Sequence, residues 1–320
     1  MNSAGGAGTP TPSGEPDGAE PRTRCGFVAI LGAPNAGKST LVNALTGAKI
    51  SIVTPKVQTT RTRVIGVMMA GGSQVVLVDT PGIFEPSKRL DRAMVAAAWQ
   101  SASDADLVGV LVDAERNRGR TDPETKRILD GLGSAKQGGL LLLNKIDQVR
   151  RTELLEIAAR LNAEATFSDT FMISALKGDG VDDLRQYLAK TVPEGPFLYP
   201  TDQLSDMSDR LLAAEITREK LYLALYQELP YSLTVETDQW EEHKNGGVRI
   251  EQTIYVERDS QKAIVLGKRG EQIKKIGAAS REELSELWDR PVHLFLFVKV
   301  RDKWQDDPAR YRDWGLDFSA

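Results

Sequence analysis

The stretch GAPNAGKST, residues 32–40, combines two glycines, a lysine and two hydroxyls at a spacing that suits holding a chain of phosphates. Its small residues let backbone N–H groups from Ala33 to Lys38 curl around phosphate oxygens, and a helix starting after Gly37 adds the partial positive charge of its first turn. Gly32, Pro34, Asn35, Ala36 and Thr40 complete the loop, with Lys38 placed for the β and γ phosphates and Ser39 for Mg2+.

Three further clusters and a threonine pair extend this chemistry. NKID, residues 144–147, ends an apolar run. There the Asp147 carboxylate would accept from the N1–H and N2–H2 donors of guanine together, a pair adenine lacks. Hydrogen-bonded readout of this kind discriminates by as much as roughly 10⁴ to 10⁵. Asn144 would tie this loop to the phosphate loop, the Lys145 stem would cover the base, and Ile146 fills the motif. DTPG, residues 79–82, supplies Asp79 for the Mg2+ shell and the Gly82 N–H for a γ-phosphate, with Thr80, Pro81 and Ile83 around them. SAL supplies Ser174, Ala175 and Leu176, the Ala175 N–H being placed for guanine O6. In QTTR, Thr59 and Thr60 lie where a loop could close over Mg2+. Thr60 is favoured and Thr59 stays open. Lys38, Thr60 and Gly82 are the candidate catalytic residues.

These clusters need a scaffold that brings strand ends together. Short apolar runs at 27–31, 74–79, 107–113, 139–145 and 170–174 read as buried strands. Helical patterns at 93–101, 123–132 and 152–161 lie between them, which predicts an α/β P-loop domain with a mostly parallel sheet and flanking helices. Ligands of such sheets bind beyond the carboxyl ends of the strands, where the four clusters fall.

The chain has 320 residues, enough for about two domains. Three prolines and a glycine in TVPEGPFLYP, residues 191–200, mark the boundary. We expect an amino-terminal tail over 1–22, rich in Gly, Pro, Ser and Thr, a nucleotide domain over 23–194, a linker over 195–204, a second α+β domain over 205–303 and a polar tail over 304–320. The net charge of −4 excludes a global basic field, so any nucleic-acid site must be a local patch. A single cysteine, Cys25, excludes an intramolecular disulfide and favours a reducing, cytoplasmic setting. No segment approaches the roughly 20 apolar residues of a membrane span. The five tryptophans read as packing residues, and His243 and His293 lack the spacing of a metal pair.

A second glycine loop, GKRG at 267–270, follows a helical pattern and lacks a Lys-Ser ending, so it is no second phosphate cradle. The predicted order around it is helix, strand, strand, helix, helix, strand, the type II arrangement of the KH module, whose Gly-x-x-Gly loop clamps about four nucleotides of single-stranded RNA. Gly267 and Gly270 let an RNA backbone approach, Lys268 and Arg269 face its phosphates, and Lys262, Lys274 and Lys275 thicken the charge. The neighbouring strand at 250–256 is expected as the second wall of the cleft.

The order GAPNAGKS, QTTR, DTPG, NKID, SAL resembles the translation-factor-related GTPases. With ISIVTPKVQTTR, EITREKLYLALYQELPYS, VERDSQKAIVLGKRG and KVRDKWQDDPARYRDWGL, the chain from about Cys25 onward resembles the Era family, bacterial ribosome-assembly GTPases with a carboxy-terminal KH domain, within the TrmE-Era-EngA-like GTPases. The resemblance implies GTP/GDP and Mg2+ as ligands, binding to the 3′ end of 16S rRNA, assembly of the 30S ribosomal subunit, a monomer, and peripheral attachment to the inner face of the cell membrane. Where Ras-like enzymes carry a water-orienting glutamine this chain has Ile83, so slow intrinsic hydrolysis is expected. Asn35 occupies the position that binds K+ in related GTPases with an aliphatic residue there, which implies stimulation by K+. A metabolic phosphotransferase, or a scaffold whose second domain binds protein, is the competing reading; NKID and the basic loop weigh against them.

Overall fold

The computed structural model describes residues 23–135, 138–226, 229–244 and 246–320; the expected tail at 1–22 lies outside them. The first domain runs β1 (Arg24–Gly32), α1 (Lys38–Thr46), β2 (Val64–Ala70), β3 (Ser73–Asp79), α2 (Arg89–Asp104), β4 (Leu107–Asp113), α3 (Pro123–Ala135), β5 (Gly139–Asn144), α4 (Arg151–Glu164), β6 (Phe167–Met172) and α5 (Val181–Thr191). The sheet order is β2-β3-β1-β4-β5-β6, parallel throughout except for β2. Order reverses at β1, so the loop after that strand opens into the crevice where such sheets bind ligands.

Two elements lie outside the strands and helices expected from the sequence, β2 and α5. β2 pairs antiparallel with β3 through the two-residue turn Gly71-Gly72, and Gly71 adopts φ +59°, as a tight hairpin of this kind requires. β6 begins three residues before the expected 170, because its polar, half-exposed FSDTFM edge carries no apolar run. Apolar side chains cover both sheet faces: Val28, Ile30, Leu41, Leu45, Leu184 and Leu188 join α1 and α5 to one, while Leu31, Val110, Ile128, Leu132, Ile157 and Leu161 join α3 and α4 to the other.

The 195–204 segment is strapped along the first domain. The buried Gln74 side chain accepts from Leu198 N at 2.8 Å and Tyr199 N at 3.0 Å and donates to the Tyr199 carbonyl at 2.8 Å. Phe197 and Tyr199 pack against Cys25, Ile65 and Val76.

The second domain runs α6 (Asp209–Ala224), β7 (Leu233–Glu242), β8 (Val248–Val256), α7 (Asp259–Leu266), α8 (Glu271–Trp288) and β9 (Val292–Val300), the order expected from the sequence. β7 pairs antiparallel with β8, and β8 parallel with β9. Leu221, Val265, Ile276 and Leu284 of the helices meet Leu233, Ile254, Leu294 and Val298 of the sheet. One expectation fails here. β8 is the central strand, paired on both edges, with Ile250, Ile254 and Val256 fully buried, so it cannot wall an open cleft. The edge strand beside α7 and α8 is β9.

The expected polar tail at 304–320 is folded and docked. Trp304 is fully buried and donates Nε1–H to the Ser232 carbonyl at 3.0 Å. After it, α9 (Pro308–Asp313) begins on the Asp307 cap, which accepts from Ala309 N at 3.1 Å. Tyr311 and Leu316, with Trp314 and Phe318, pack on Leu90, Ala93 and Met94 of α2 in the first domain. Aromatic residues spaced singly among charges gave this stretch a polar average that hid its apolar contacts.

Candidate nucleotide site and RNA interface

The loop between β1 and α1 takes its shape from Asn35 at φ +62° and Gly37 at φ +103°, both in the left-handed region. A side chain at Gly37 would reach within 2.4 Å of Asn144 Nδ2, and one at Gly82 within 2.9 Å of Pro34 Cγ, so close approach as well as conformation calls for glycine. The Lys38 ammonium donates to the Gly32 and Ala33 carbonyls, each at 3.1 Å. It is buried, and the loss of hydration lowers its pKa to about 8, against the opposing pull of Asp79 and Glu124.

At the foot of the loop three oxygens converge. Ser39 Oγ lies 2.8 Å from Thr60 Oγ1 and donates to Asp79 Oδ2 at 2.7 Å, and Thr60 Oγ1 donates to the same oxygen at 3.3 Å. Burial pushes the Asp79 carboxyl up, with the Lys38 charge and the Ser39 and Thr60 hydroxyls acting the other way. Its second oxygen, Oδ1, is buried without a partner. Two hydroxyls and a carboxylate with a spare buried lone pair form a hard oxygen donor set that fits Mg2+. Of the two threonines, Thr60 is the one that reaches this oxygen cluster. Thr59 Oγ1 turns away to Thr54 Oγ1 at 2.6 Å and the Lys56 carbonyl at 2.7 Å.

Across the crevice, Asn144 joins two loops: its Nδ2 donates to the Ala36 carbonyl at 2.8 Å and its Oδ1 accepts from Ala175 N at 2.9 Å. Lys145, at φ +62°, reaches Asp113 Oδ2 at 2.5 Å. Ser174 Oγ donates to Asp147 Oδ1 at 2.8 Å, which holds that carboxyl below its ordinary range. A cavity of about 470 Å³ runs between these groups, lined by Pro34, Asn35, Gly37 to Thr40, Thr60, Gly82, Asn144, Lys145, Asp147 and Ser174 to Leu176. That volume lies within the range of about 300–1,000 Å³ usual for small-molecule sites. Gly32, Ala33, Ala36, Asp79, Thr80, Pro81, Ile83 and Ile146 stand behind the lining. Thr80 Oγ1 donates to the Ile30 carbonyl at 2.7 Å, and the buried Ile83 donates its N–H to the Gly32 carbonyl at 3.1 Å.

The basic loop lies in the second domain between α7 and α8. Gly267, Arg269 and Gly270 have φ of +71°, +54° and +77°. Lys268, Arg269, Lys274 and Lys275 are exposed and Lys262 is half-buried, so the positive charge is presented to solvent at one end of the domain. Beside it, exposed Ile264 offers an apolar surface.

Residues 27–145 match the 50S ribosome-binding GTPase family and residues 228–305 the KH domain family. GTPase Era of Afipia carboxidovorans is 61% identical over 92% of this chain and 95% of its own length, and that of Rhizobium meliloti 60% identical over 92% and 94%. The chain belongs to the Era GTPases. Two solved Era structures share its fold over 92% of this chain and 99% of theirs: a point variant of Aquifex aeolicus Era bound to GDP·AlF4−, 36% identical with a TM-score of 0.86, and Era in complex with MgGDPNP and nucleotides 1506–1542 of 16S ribosomal RNA, 37% identical with a TM-score of 0.85.

Within this Era GTPase the structure adds residues that motif spacing did not supply. Asp113, at the end of β4, anchors Lys145; its place as the polar end of an apolar run was a usable signal. The 49–61 segment that carries Thr60 is tied to the second domain along its length. Lys49 pairs with Glu219 and Glu283, Val53 N donates to Glu219 Oε1 at 2.8 Å, Lys56 donates to the Tyr222 and Leu225 carbonyls, and Arg61 donates to the Leu233 carbonyl at 2.8 Å and Tyr222 Oη at 2.9 Å. No local pattern announces such contacts, because each partner lies more than 150 residues away.

Proposed function

We propose that this GTPase is a GTP-driven switch that grips the 3′ region of 16S rRNA through its KH domain and acts in maturation of the 30S subunit. The observation that carries this reading is the convergence of Ser39, Thr60 and Asp79 at the foot of the phosphate loop, in a chain whose other half presents a Gly-x-x-Gly loop with exposed Lys268 and Arg269. The Era relative solved with MgGDPNP and 16S rRNA supports the pairing of ligands.

On this reading the backbone from Ala33 to Lys38 wraps the phosphates, and Lys38 exchanges its carbonyl partners for β and γ oxygens. Ser39 and Thr60, with Asp79 behind them, would hold Mg2+, which would supply charge neutralisation to the phosphates. Gly82 meets the γ-phosphate with its N–H, Asp147 reads guanine, and Asn144 keeps the two loops in register; the Ala175 N–H, held by Asn144 Oδ1 at 2.9 Å, reaches guanine O6 only by leaving that partner. The aliphatic Ile83 is buried against the β1 end and carries no group to orient water, which supports slow intrinsic turnover; Asn35 would hold K+, whose charge would raise it. In the second domain Gly267 and Gly270 admit the RNA backbone while Lys262, Lys268, Arg269, Lys274 and Lys275 neutralise its phosphates. The domain limits of 23–194 and 205–303 and a cytoplasmic monomer belong to the same reading. No described helix is long and apolar enough to cross a membrane, so any attachment to one would be at its surface.

The test is titration of the full chain with the single-stranded 3′ segment of 16S rRNA in the nucleotide-free, GDP and non-hydrolysable GTP-analogue states. Tighter capture in the analogue state supports the switch, and equal capture in all three overturns it. Hydrolysis in KCl against NaCl tests the K+ element, equal rates removing it.

A further inference from the structure

Arg218, on α6 of the RNA-binding domain, is 2% exposed and is used by none of the chemistry above. Its Nη2 donates to the Thr59 carbonyl, its Nε donates to Glu215 Oε1 at 2.8 Å, and its guanidinium lies 5.1 Å from the centre of the Tyr222 ring. Nη1 is buried without a partner. A guanidinium buried with a donor unpaired is an expensive way to hold a helix in place, since well-packed apolar replacements of buried ion pairs are often neutral or stabilising. Its geometry suits another task. The Thr59 carbonyl shares a rigid peptide plane with the nitrogen and Cα of Thr60, so fixing that oxygen sets the direction in which the Thr60 side chain leaves the backbone. That side chain ends 2.8 Å from Ser39 Oγ.

We propose that Arg218 is a positioning residue of the GTPase site, by which the RNA-binding domain holds Thr60 at the metal corner through the Thr59 carbonyl. This rests on the reading of Thr60 as a Mg2+ ligand. Neighbouring contacts make the clamp part of a longer seat: Tyr222 Oη donates to the Gln58 carbonyl at 3.4 Å, and Glu219 holds Val53 N at 2.8 Å, so one turn-spaced face of α6 carries residues 53–59. The nucleotide site is therefore complete only while α6 lies against this segment, and a movement of the second domain reaches Thr60 through one hydrogen-bonded carbonyl.

The experiment compares full-length wild type, R218M, T60A and the double variant by two readouts: release of a fluorescent non-hydrolysable GTP analogue in Mg2+ and in EDTA, and single-turnover GTP hydrolysis. We expect R218M to speed analogue release in Mg2+ by about tenfold, the loss of one hydrogen bond to a charged donor. In EDTA release should match wild type, and the double variant should be within about twofold of T60A, because residues acting through one group are not additive. R218K, which keeps a donor, should fall between wild type and R218M. Release from R218M that is unchanged in Mg2+, or full additivity of the two substitutions while T60A alone is defective, overturns the role of Arg218 and leaves the Thr60 reading standing. A silent T60A overturns both.

Discussion

Lys38 donates to the carbonyl of Gly32 at 3.1 Å, six residues back along its own chain, so the charge intended for phosphate is hydrogen-bonded to backbone dipoles while the Asp79 and Glu124 carboxylates act on it from farther off. Burial lowers its pKa to about 8. Bound phosphates favour the charged form and raise that value again. Nucleotide affinity should therefore be flat below pH 8 and weaken above it, by up to tenfold per pH unit, with GDP binding taking up close to one proton near pH 9. Calorimetry in buffers of different ionisation enthalpy reads this uptake directly. The stability of the nucleotide-free protein has the opposite slope. A lysine with a depressed folded pKa destabilises fully below about 8, and the penalty fades as pH rises towards the ordinary 10.5, where the unfolded chain also loses the proton.

Asn144 spans the Ala36 carbonyl and the Ala175 N–H at 2.8 and 2.9 Å. Asn144→Ala leaves both buried groups unsatisfied, at about 1–3 kcal/mol each. We expect a lower Tm and at least a tenfold loss of GDP affinity, read by thermal unfolding and titration. A loss of stability with unchanged affinity would show that the link braces the fold without aligning the two loops.

Gly270 sits at φ +77° with nothing within 4 Å of where a Cβ would lie. Asp tolerates the left-handed region better than most residues, so Gly270→Asp should fold while placing a carboxylate in the path of an RNA backbone. GTP hydrolysis should stay within about twofold of wild type and RNA capture should fall by at least tenfold, about what one lost charged contact is worth. Lys268→Ala should weaken RNA binding and lower the slope of log affinity against log salt by about 0.7, the value for one phosphate contact to a single strand.

Trp304→Ala removes a fully buried ring and its bond to the Ser232 carbonyl. The expected loss in urea unfolding is about 3–5 kcal/mol. The Arg61 guanidinium lies 5.6 Å from that ring, so the variant should also loosen the 49–61 segment, visible as faster amide exchange there.

The nucleotide site was legible because its chemistry is local. GAPNAGKS, DTPG, NKID and SAL each sit at one turn, and a parallel sheet carries strand ends to one crevice by topology alone. The KH order was legible for a similar reason, since alternating strand and helix patterns flank GKRG. What stayed hidden depends on which residues meet in space. Thr59 and Thr60 have the same chemistry and adjacent positions, and only the turn that sends Thr59 to Thr54 sets their side chains apart. β2 is as long as β3 but lies beside a loop, and its hairpin glycines at 71 and 72 were the neglected signal. At 304–320 a charged average masked Trp304, Tyr311 and Leu316, because composition over a window reports the solvent face as readily as the buried one.

That last segment carries a consequence for biosynthesis. Leu90, Ala93 and Met94 belong to the nucleotide domain, yet the residues that cover them, Tyr311 and Leu316, are translated more than 200 residues later. While the ribosome is still elongating, a domain otherwise ready to close carries an uncovered oily stripe, and a tag or fusion joined after Ala320 begins beside the stripe's covering, since Ala320 itself packs in that cluster. The nucleotide domain is thus finished only after the KH domain has been translated.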